Sequence, residues 1–143
     1  MLDHLVGLIP RTVSDVVTHN RDQVSLALAS PVDAQRLTTP VGAGCVDEAA
    51  VLHDWRLLAF RYAADGSVDV ALLGELGSTR QTFLTSPVVA LDPDRVHART
   101  LSAVYRLGRR GEGEPSERQM IGLLRALHAH GVGEALGVMP VVT

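Results

Sequence analysis

Lysine is absent from this 143-residue chain, and all of its basic residues are arginines. Enzymes that form a Schiff base on lysine and nucleotide-binding proteins that hold phosphate with a P-loop lysine are therefore excluded. Cysteine occurs once, as Cys45, so neither an internal disulfide nor a cysteine-based zinc site can form. We expect a reducing, cytoplasmic setting.

Aromatic residues are also few, and all five lie in the central part of the chain: Trp55, Phe60, Tyr62, Phe83 and Tyr105. The composition is 46% hydrophobic and 20% charged, which excludes wholesale disorder and predicts an aliphatic core. No apolar run approaches the ~18 residues of a membrane span. The first ten residues also lack the basic stretch of a signal peptide. We expect no association with a membrane.

Four runs of alternating apolar and polar residues follow one another between residues 55 and 107, separated by turn-forming sequences. They cover residues 55–62, 68–76, 79–91 and 96–107. This spacing predicts a four-stranded antiparallel meander. The first run is apolar on both faces, which indicates a strand covered on two sides. Pro87 lacks a ladder donor and predicts a bend within the third run.

The N-terminal part, residues 1–54, is predicted to be mainly helical. From Thr12 the apolar residues fall at helical spacing, although Asn20-Arg-Asp22 also fits a hairpin turn between two strands. Ser30 followed by proline predicts a short helix through Leu37. Residues 1–9 fit a short helix or an extended arm, and residues 38–45 form a loop. Residues 47–54 fit a helical turn or an extension of the first strand.

The C-terminal part contains the clearest helix pattern. Residues 108–115 predict an exposed loop, and Ser116 opens a capping box. The helix over residues 116–130 carries an apolar stripe of Met120, Leu123, Leu124 and Leu127. It is predicted to pack on the sheet face formed by Leu72, Leu101 and Tyr105. Residues 132–143 form a tail that could return as a strand. The fold class is thus α+β, in a single domain over residues 1–143.

Residue types used in catalysis are present but not at catalytic spacings. The six histidines are isolated, except that His128 and His130 would point to different sides of one helix. Cys45 could pair with a distant histidine, but a lone cysteine is more often a small inert hydrophobe. No Gly-x-Ser-x-Gly elbow occurs. We assign no catalytic residue, metal ligand or cofactor, and the sequence leans against an enzyme.

Charge is unevenly distributed along the chain. Residues 1–93 hold six arginines against eleven acids, a net charge of minus five, whereas residues 94–125 hold seven against four, a net charge of plus three. The candidates for contact with an anion or a partner are Arg99, Arg106, Arg109 and Arg110. The alternative is a solvated loop rich in arginine. A net charge of minus three overall argues against nucleic acid.

These observations predict a non-catalytic protein-interaction or regulatory domain that self-associates. A meander would leave the apolar strand 55–62 at its edge, where proteins normally cover such a strand. The cover could come from the N-terminal segment, from the C-terminal tail or from a second copy, and we expect a homodimer. Two alternatives are a nucleic-acid or phosphate binder using residues 95–125 and a small enzyme whose site is not visible in sequence.

Overall fold

The computed structural model describes residues 9–42 and 49–141. These residues form an α+β fold with a mostly antiparallel sheet and a C-terminal helix, as predicted. A 3-10 turn at Val13–Asp15 precedes the regular elements, which are β1 (Val24–Leu28), α1 (Pro31–Leu37), β2 (Ala50–Tyr62), β3 (Val68–Leu76), β4 (Gln81–Leu84), β5 (Val88–Leu91), β6 (His97–Thr100), β7 (Val104–Leu107) and α2 (Glu117–Ala129).

The predicted four-stranded meander is wrong, because the described residues form seven strands. The third run breaks at the bend predicted for Pro87, which separates β4 from β5. The fourth run breaks at a turn in which Thr100 Oγ1 accepts hydrogen bonds from the backbone N–H groups of Ser102 and Ala103. A period of two residues is the same in one long strand and in two short ones, so alternation alone did not reveal these breaks.

The predicted N-terminal helical region is also wrong for the described residues. After the single 3-10 turn the chain reverses at Asn20, whose φ is 59°, and continues as β1. The alternative of a hairpin turn between two strands is confirmed only for the turn and for the strand that follows it, because no strand precedes Asn20 in the described residues. Asparagine tolerates the left-handed backbone of such a turn. The short helix after Ser30 is confirmed, with a reciprocal capping box to Asp33. Predictions for residues 1–8 and 43–48, Cys45 included, lie outside the described residues.

The sheet is rolled. Its order is β4-β3-β2-β7-β6-β5, and β1 also pairs with β2. β4 and β5 stand at opposite ends of this order, yet only residues 85–87 separate them in the chain. The sheet must therefore roll so that its two end strands come near each other, although the described residues of β4 and β5 do not pair. All pairs are antiparallel except that between β2 and β7.

Strand β2 lies inside the sheet, so the prediction that residues 55–62 form an edge is wrong. β3 pairs along one side of β2. The other side is shared, with β7 on residues 50–52 and β1 on residues 58–62. Residues 47–54 extend this strand from Ala50 onward rather than forming a helical turn. The N-terminal segment thus supplies the cover that the apolar strand needed.

Two apolar clusters occupy the two faces of the rolled sheet. One contains Leu52, Trp55, Leu72, Leu91 and Tyr105, among others. The other contains the apolar stripe of α2 together with sheet residues Leu58, Ala71, Leu73 and Leu84. Docking of the C-terminal helix on the sheet is confirmed, but the predicted partner face is wrong. Leu72 and Tyr105 belong to the opposite cluster, and Leu101 is 71% exposed.

The loop after β7 is bound to β2 through its backbone. Trp55 N–H donates to the carbonyl of Arg109, and Gly111 N–H donates to the carbonyl of Trp55. The guanidinium of Arg56 donates to the carbonyls of Glu112 and Gly113. Most side chains of the loop are exposed, as predicted. Its path nevertheless continues the parallel pairing that β7 begins.

Candidate functional site

The outer edge of β4 is left without a strand partner. Thr85 N–H donates to the carbonyl of Leu72 at 2.9 Å, so residues 81, 83 and 85 direct their backbone groups toward β3. In an antiparallel ladder the residues between them point the other way. The N–H and C=O groups of Thr82 and Leu84 therefore point away from β3; Thr82 is half-buried and Leu84 is 5% exposed. Among the described residues these groups have no backbone partner.

A groove of about 760 Å³ runs between this edge and helix α2. Thr82 and Leu84 line one wall, and Ile121, Ala126 and Ala129 line the other. The helix comes close because residue 122 is glycine, where a Cβ atom would lie 2.4 Å from Cγ2 of Thr82. A glycine inside an otherwise regular apolar helix was the sequence signal for this close approach.

The charged side chains along the groove are mainly basic. Arg118 and Arg125 are exposed on α2, and Glu117 is the acidic residue of the lining. The guanidinium of Arg118 donates to the carbonyl of Arg80 at 2.6 Å, which holds it near the start of β4. Within residues 9–42 and 49–141, Arg125 forms no salt bridge. Two arginines against one glutamate give the groove lining a net positive charge.

At the end of β4 the groove meets an apolar pocket of about 540 Å³. The two cavities share Phe83, Leu84 and His130. Phe60 and Ala71 contribute from the sheet, and Leu127, Val132 and Leu136 from α2 and the segment after it. The rings of Phe83 and Tyr105 lie 6.2 Å apart at a tilt of 46°. A cavity of this size and composition is suited to an apolar group.

The polar groups of this pocket are hydroxyls, one imidazole and one carboxylate, and its lining contains no arginine. Burial raises the pKa of the Tyr62 phenol, and the neighbouring carboxylate of Asp69 raises it further. Burial also raises the pKa of Tyr105. Both phenols thus remain protonated at neutral pH and can donate hydrogen bonds. An anionic group would find no cationic partner of the kind present in the groove.

The four arginines proposed from sequence occupy two different places. Arg99 and Arg106 project from the same face of β6 and β7, because their strands pair His97 with Arg106 and Arg99 with Val104. His97 lies between them on that face, with its Nδ1 3.3 Å from Asp92 Oδ2. Arg110 instead lies over the Trp55 ring, 5.3 Å from its centroid. The carbonyl of Arg109 is bonded to Trp55 in the adjacent loop.

Histidines and acids do not gather elsewhere. The residues that the structure describes contain no group of three or more His, Cys, Asp or Glu side chains able to hold a metal ion. His128 is 2.9 Å from the carbonyl of Val138, whereas His130 lines the pocket and the groove. No helix in the described ranges is long and apolar enough to cross a membrane.

The sequence predicted helix α2, which forms one wall of the groove. It did not predict the groove itself, because the free edge of β4 follows from the strand order. Arg118 and Arg125 lay within the basic part of the chain, yet charge counting gave them no more weight than the loop arginines. Comparisons with known protein families, with curated proteins and with solved structures give no match for this chain.

Proposed function

We propose that the protein is a non-catalytic protein-interaction domain that binds an extended segment of a partner protein along β4. The observation that carries this proposal is the outward backbone of Thr82 and Leu84, which borders the groove beneath α2. An extended peptide can add to such an edge as a further strand, and main-chain hydrogen bonds then supply affinity. The adjoining helix supplies a wall for its side chains.

The charge of the groove supports an acidic segment as its occupant. Arg118 and Arg125 face it from α2, and arginine binds carboxylates through paired hydrogen bonds. Both side chains are exposed, so each contact would be salt-dependent and modest. The segment we propose is therefore an extended strand with acidic side chains on the helix side.

Fluorescence anisotropy with a labelled peptide of alternating valine and glutamate tests this proposal. Thr82→Pro removes the outward N–H but no ladder bond to β3, so it should abolish binding with little effect on folding. Thr82→Val keeps the N–H and is the matched control. Equal binding by the proline variant would show that the peptide does not pair with this edge.

A charge reversal provides a second measurement that does not alter the strand. Arg125→Glu should weaken the same peptide on the order of ten-fold at low salt. Arg36→Glu on α1 makes the same change at an exposed position outside the groove and should have little effect. If the two variants bind alike, the groove does not select acidic peptides.

We also propose that the protein self-associates, through β4 rather than through residues 55–62. The apolar edge expected at residues 55–62 is covered by β1 and, at Trp55, by the loop around Arg109, and β4 is the edge that a second copy could use. Light scattering at micromolar concentration distinguishes the cases. A mass near 15.3 kDa over a hundredfold dilution would exclude the dimer, whereas a dimer lost in Thr82→Pro would make a second copy the occupant of the edge.

Anion binding by Arg99 and Arg106 is a second candidate function, favoured by their placement on one sheet face beside His97. Retention on heparin should fall steeply with salt, since phosphate and sulfate contacts release counterions. Arg106→Ser should reduce that retention more than Arg110→Ser, because Arg110 lies over Trp55. No retention at low salt would remove this candidate.

A further inference from the structure

We infer that the 540 Å³ pocket receives one bulky uncharged side chain of the bound segment, and that this anchor stands on the N-terminal side of the segment's acidic residues. The inference rests on the proposed function, since it concerns the same segment. It adds the identity of the anchor and the direction in which the segment runs.

The groove and the pocket form one continuous surface. They meet at Phe83, Leu84 and His130, and both β4 and α2 run toward the pocket along the chain. A strand added to β4 would therefore pass directly from the arginine-lined groove to the mouth of the pocket. A side chain of that same strand can then fill the pocket, without a separate ligand.

The chemistry of the pocket restricts the anchor. The acidic residue of the lining is Asp69, and no arginine is present to receive an acidic side chain or a free carboxyl terminus. The tilted rings of Phe83 and Tyr105 offer surfaces on which another aromatic ring packs favourably. Aromatic anchors also contribute large apolar areas. We therefore expect tryptophan or phenylalanine at this position rather than an acidic residue.

The direction of the segment follows from the commoner mode of strand pairing. Antiparallel pairs outnumber parallel ones and are slightly more stable per residue. A segment antiparallel to β4 has its N-terminal end at the pocket and its C-terminal end near Arg118. Arg118 and Arg125 are about 10 Å apart along the helix, which is roughly three residues of an extended strand. Because successive side chains of a strand point to opposite faces, acidic residues on the helix side must follow the anchor at even spacings. We expect spacings of two and six, since four is the next even separation above three.

The probes for the test are three labelled peptides. The first has the order Trp-Thr-Glu-Val-Thr-Val-Glu, the second is the same sequence reversed, and the third carries alanine in place of tryptophan. The first should bind on the order of ten-fold more tightly than the other two. Tighter binding of the reversed peptide would overturn the direction, and equal binding of the alanine peptide would overturn the anchor.

A variant of the protein separates this inference from the proposed function. Ser102 lines the pocket and is exposed, so Ser102→Phe should fill the pocket from its rim. It should reduce binding of the tryptophan peptide to that of the alanine peptide and leave the latter unchanged. Ser14→Phe, at an exposed site on the N-terminal turn, is the matched control. Binding that is lost in Thr82→Pro yet indifferent to Ser102→Phe would refute the anchor while supporting strand addition.

Discussion

Strands β2 and β4 both pair with β3, but they differ in how their other edge is covered. The side of β2 away from β3 is covered almost continuously, by β7, then by the loop around Arg109, and then by β1. β4 has no strand on its second edge among the described residues, and its residues Thr82 and Leu84, the latter 5% exposed, line a groove. β2 is thirteen residues long and apolar on both faces, whereas β4 has four residues. A long apolar edge would promote aggregation, but a short edge can stay available for a specific partner.

Leu124→Ala should change the free energy of unfolding more than any other substitution proposed below. It tests whether α2 is firmly docked beside the open edge of β4. Leu124 is 0% exposed in the cluster beneath the helix. Truncation should lower the free energy of unfolding by about 2 to 5 kcal/mol, as buried leucine truncations do. Thermal melts followed by circular dichroism measure this, with the exposed Leu101→Ala as the control. An unchanged melting temperature would contradict the docking.

Arg56→Met should loosen the covered edge of β2. The Arg56 side chain donates to the carbonyl of Gly113 at 2.9 Å and to Gln119 Oε1 at 2.6 Å. Losing these charge-assisted bonds should cost about 1.5 to 3 kcal/mol. Hydrogen exchange should show faster opening at the N–H of Gly111, which bonds to Trp55. Arg106→Met, at an exposed position, should show neither effect.

Asp33→Asn should change how the free energy of unfolding depends on pH. Asp33 binds Arg61 of β2, at the stretch that β1 covers. Burial alone raises the pKa of Asp33, but hydrogen bonds from Ser30 and Arg61 outweigh burial and hold the pKa below its ordinary value. The carboxylate therefore stabilises the fold above the unfolded pKa of about 4, and this contribution disappears as the pH falls through the lower folded value.

The wild-type protein should thus exceed Asp33→Asn in stability at pH 7, and the difference should shrink in acid. We expect it to be no more than about 1 kcal/mol, because Arg61 is 43% exposed and solvent screens its charge. Urea unfolding at pH 7 and at about pH 3 measures both values. A difference that grows in acid would contradict the assignment.

Thr82→Val should have the smallest effect and concerns the open edge itself. Oγ1 of Thr82 is buried without a hydrogen-bond partner among the described residues. Replacing an unsatisfied hydroxyl by a methyl group should be neutral or stabilising by less than about 1 kcal/mol. Urea unfolding measures the change. A loss greater than this would mean that the hydroxyl has a bonding partner in solution.

Features that depend on a few neighbouring residues could be predicted from the sequence. The capping boxes at Ser30 and Ser116 each involve residues three apart, and both helices begin where expected. The order of the strands could not be predicted, since β7 joins β2 across more than fifty residues. The open edge and its groove depend on that order. Nor could composition separate Arg56, which binds the loop backbone, from the exposed Arg125.

The strand order also has a consequence for the rate of folding. The hairpins β2–β3 and β3–β4 join neighbouring segments, whereas the β2–β7 pair brings Ala50 beside Tyr105. The entropy of closing that long loop must be lost before its contacts form. The neighbouring hairpins should therefore form before β7 reaches β2. During that interval residues 50–52 of β2 lack their partner strand, whereas β1 can already cover residues 58–62.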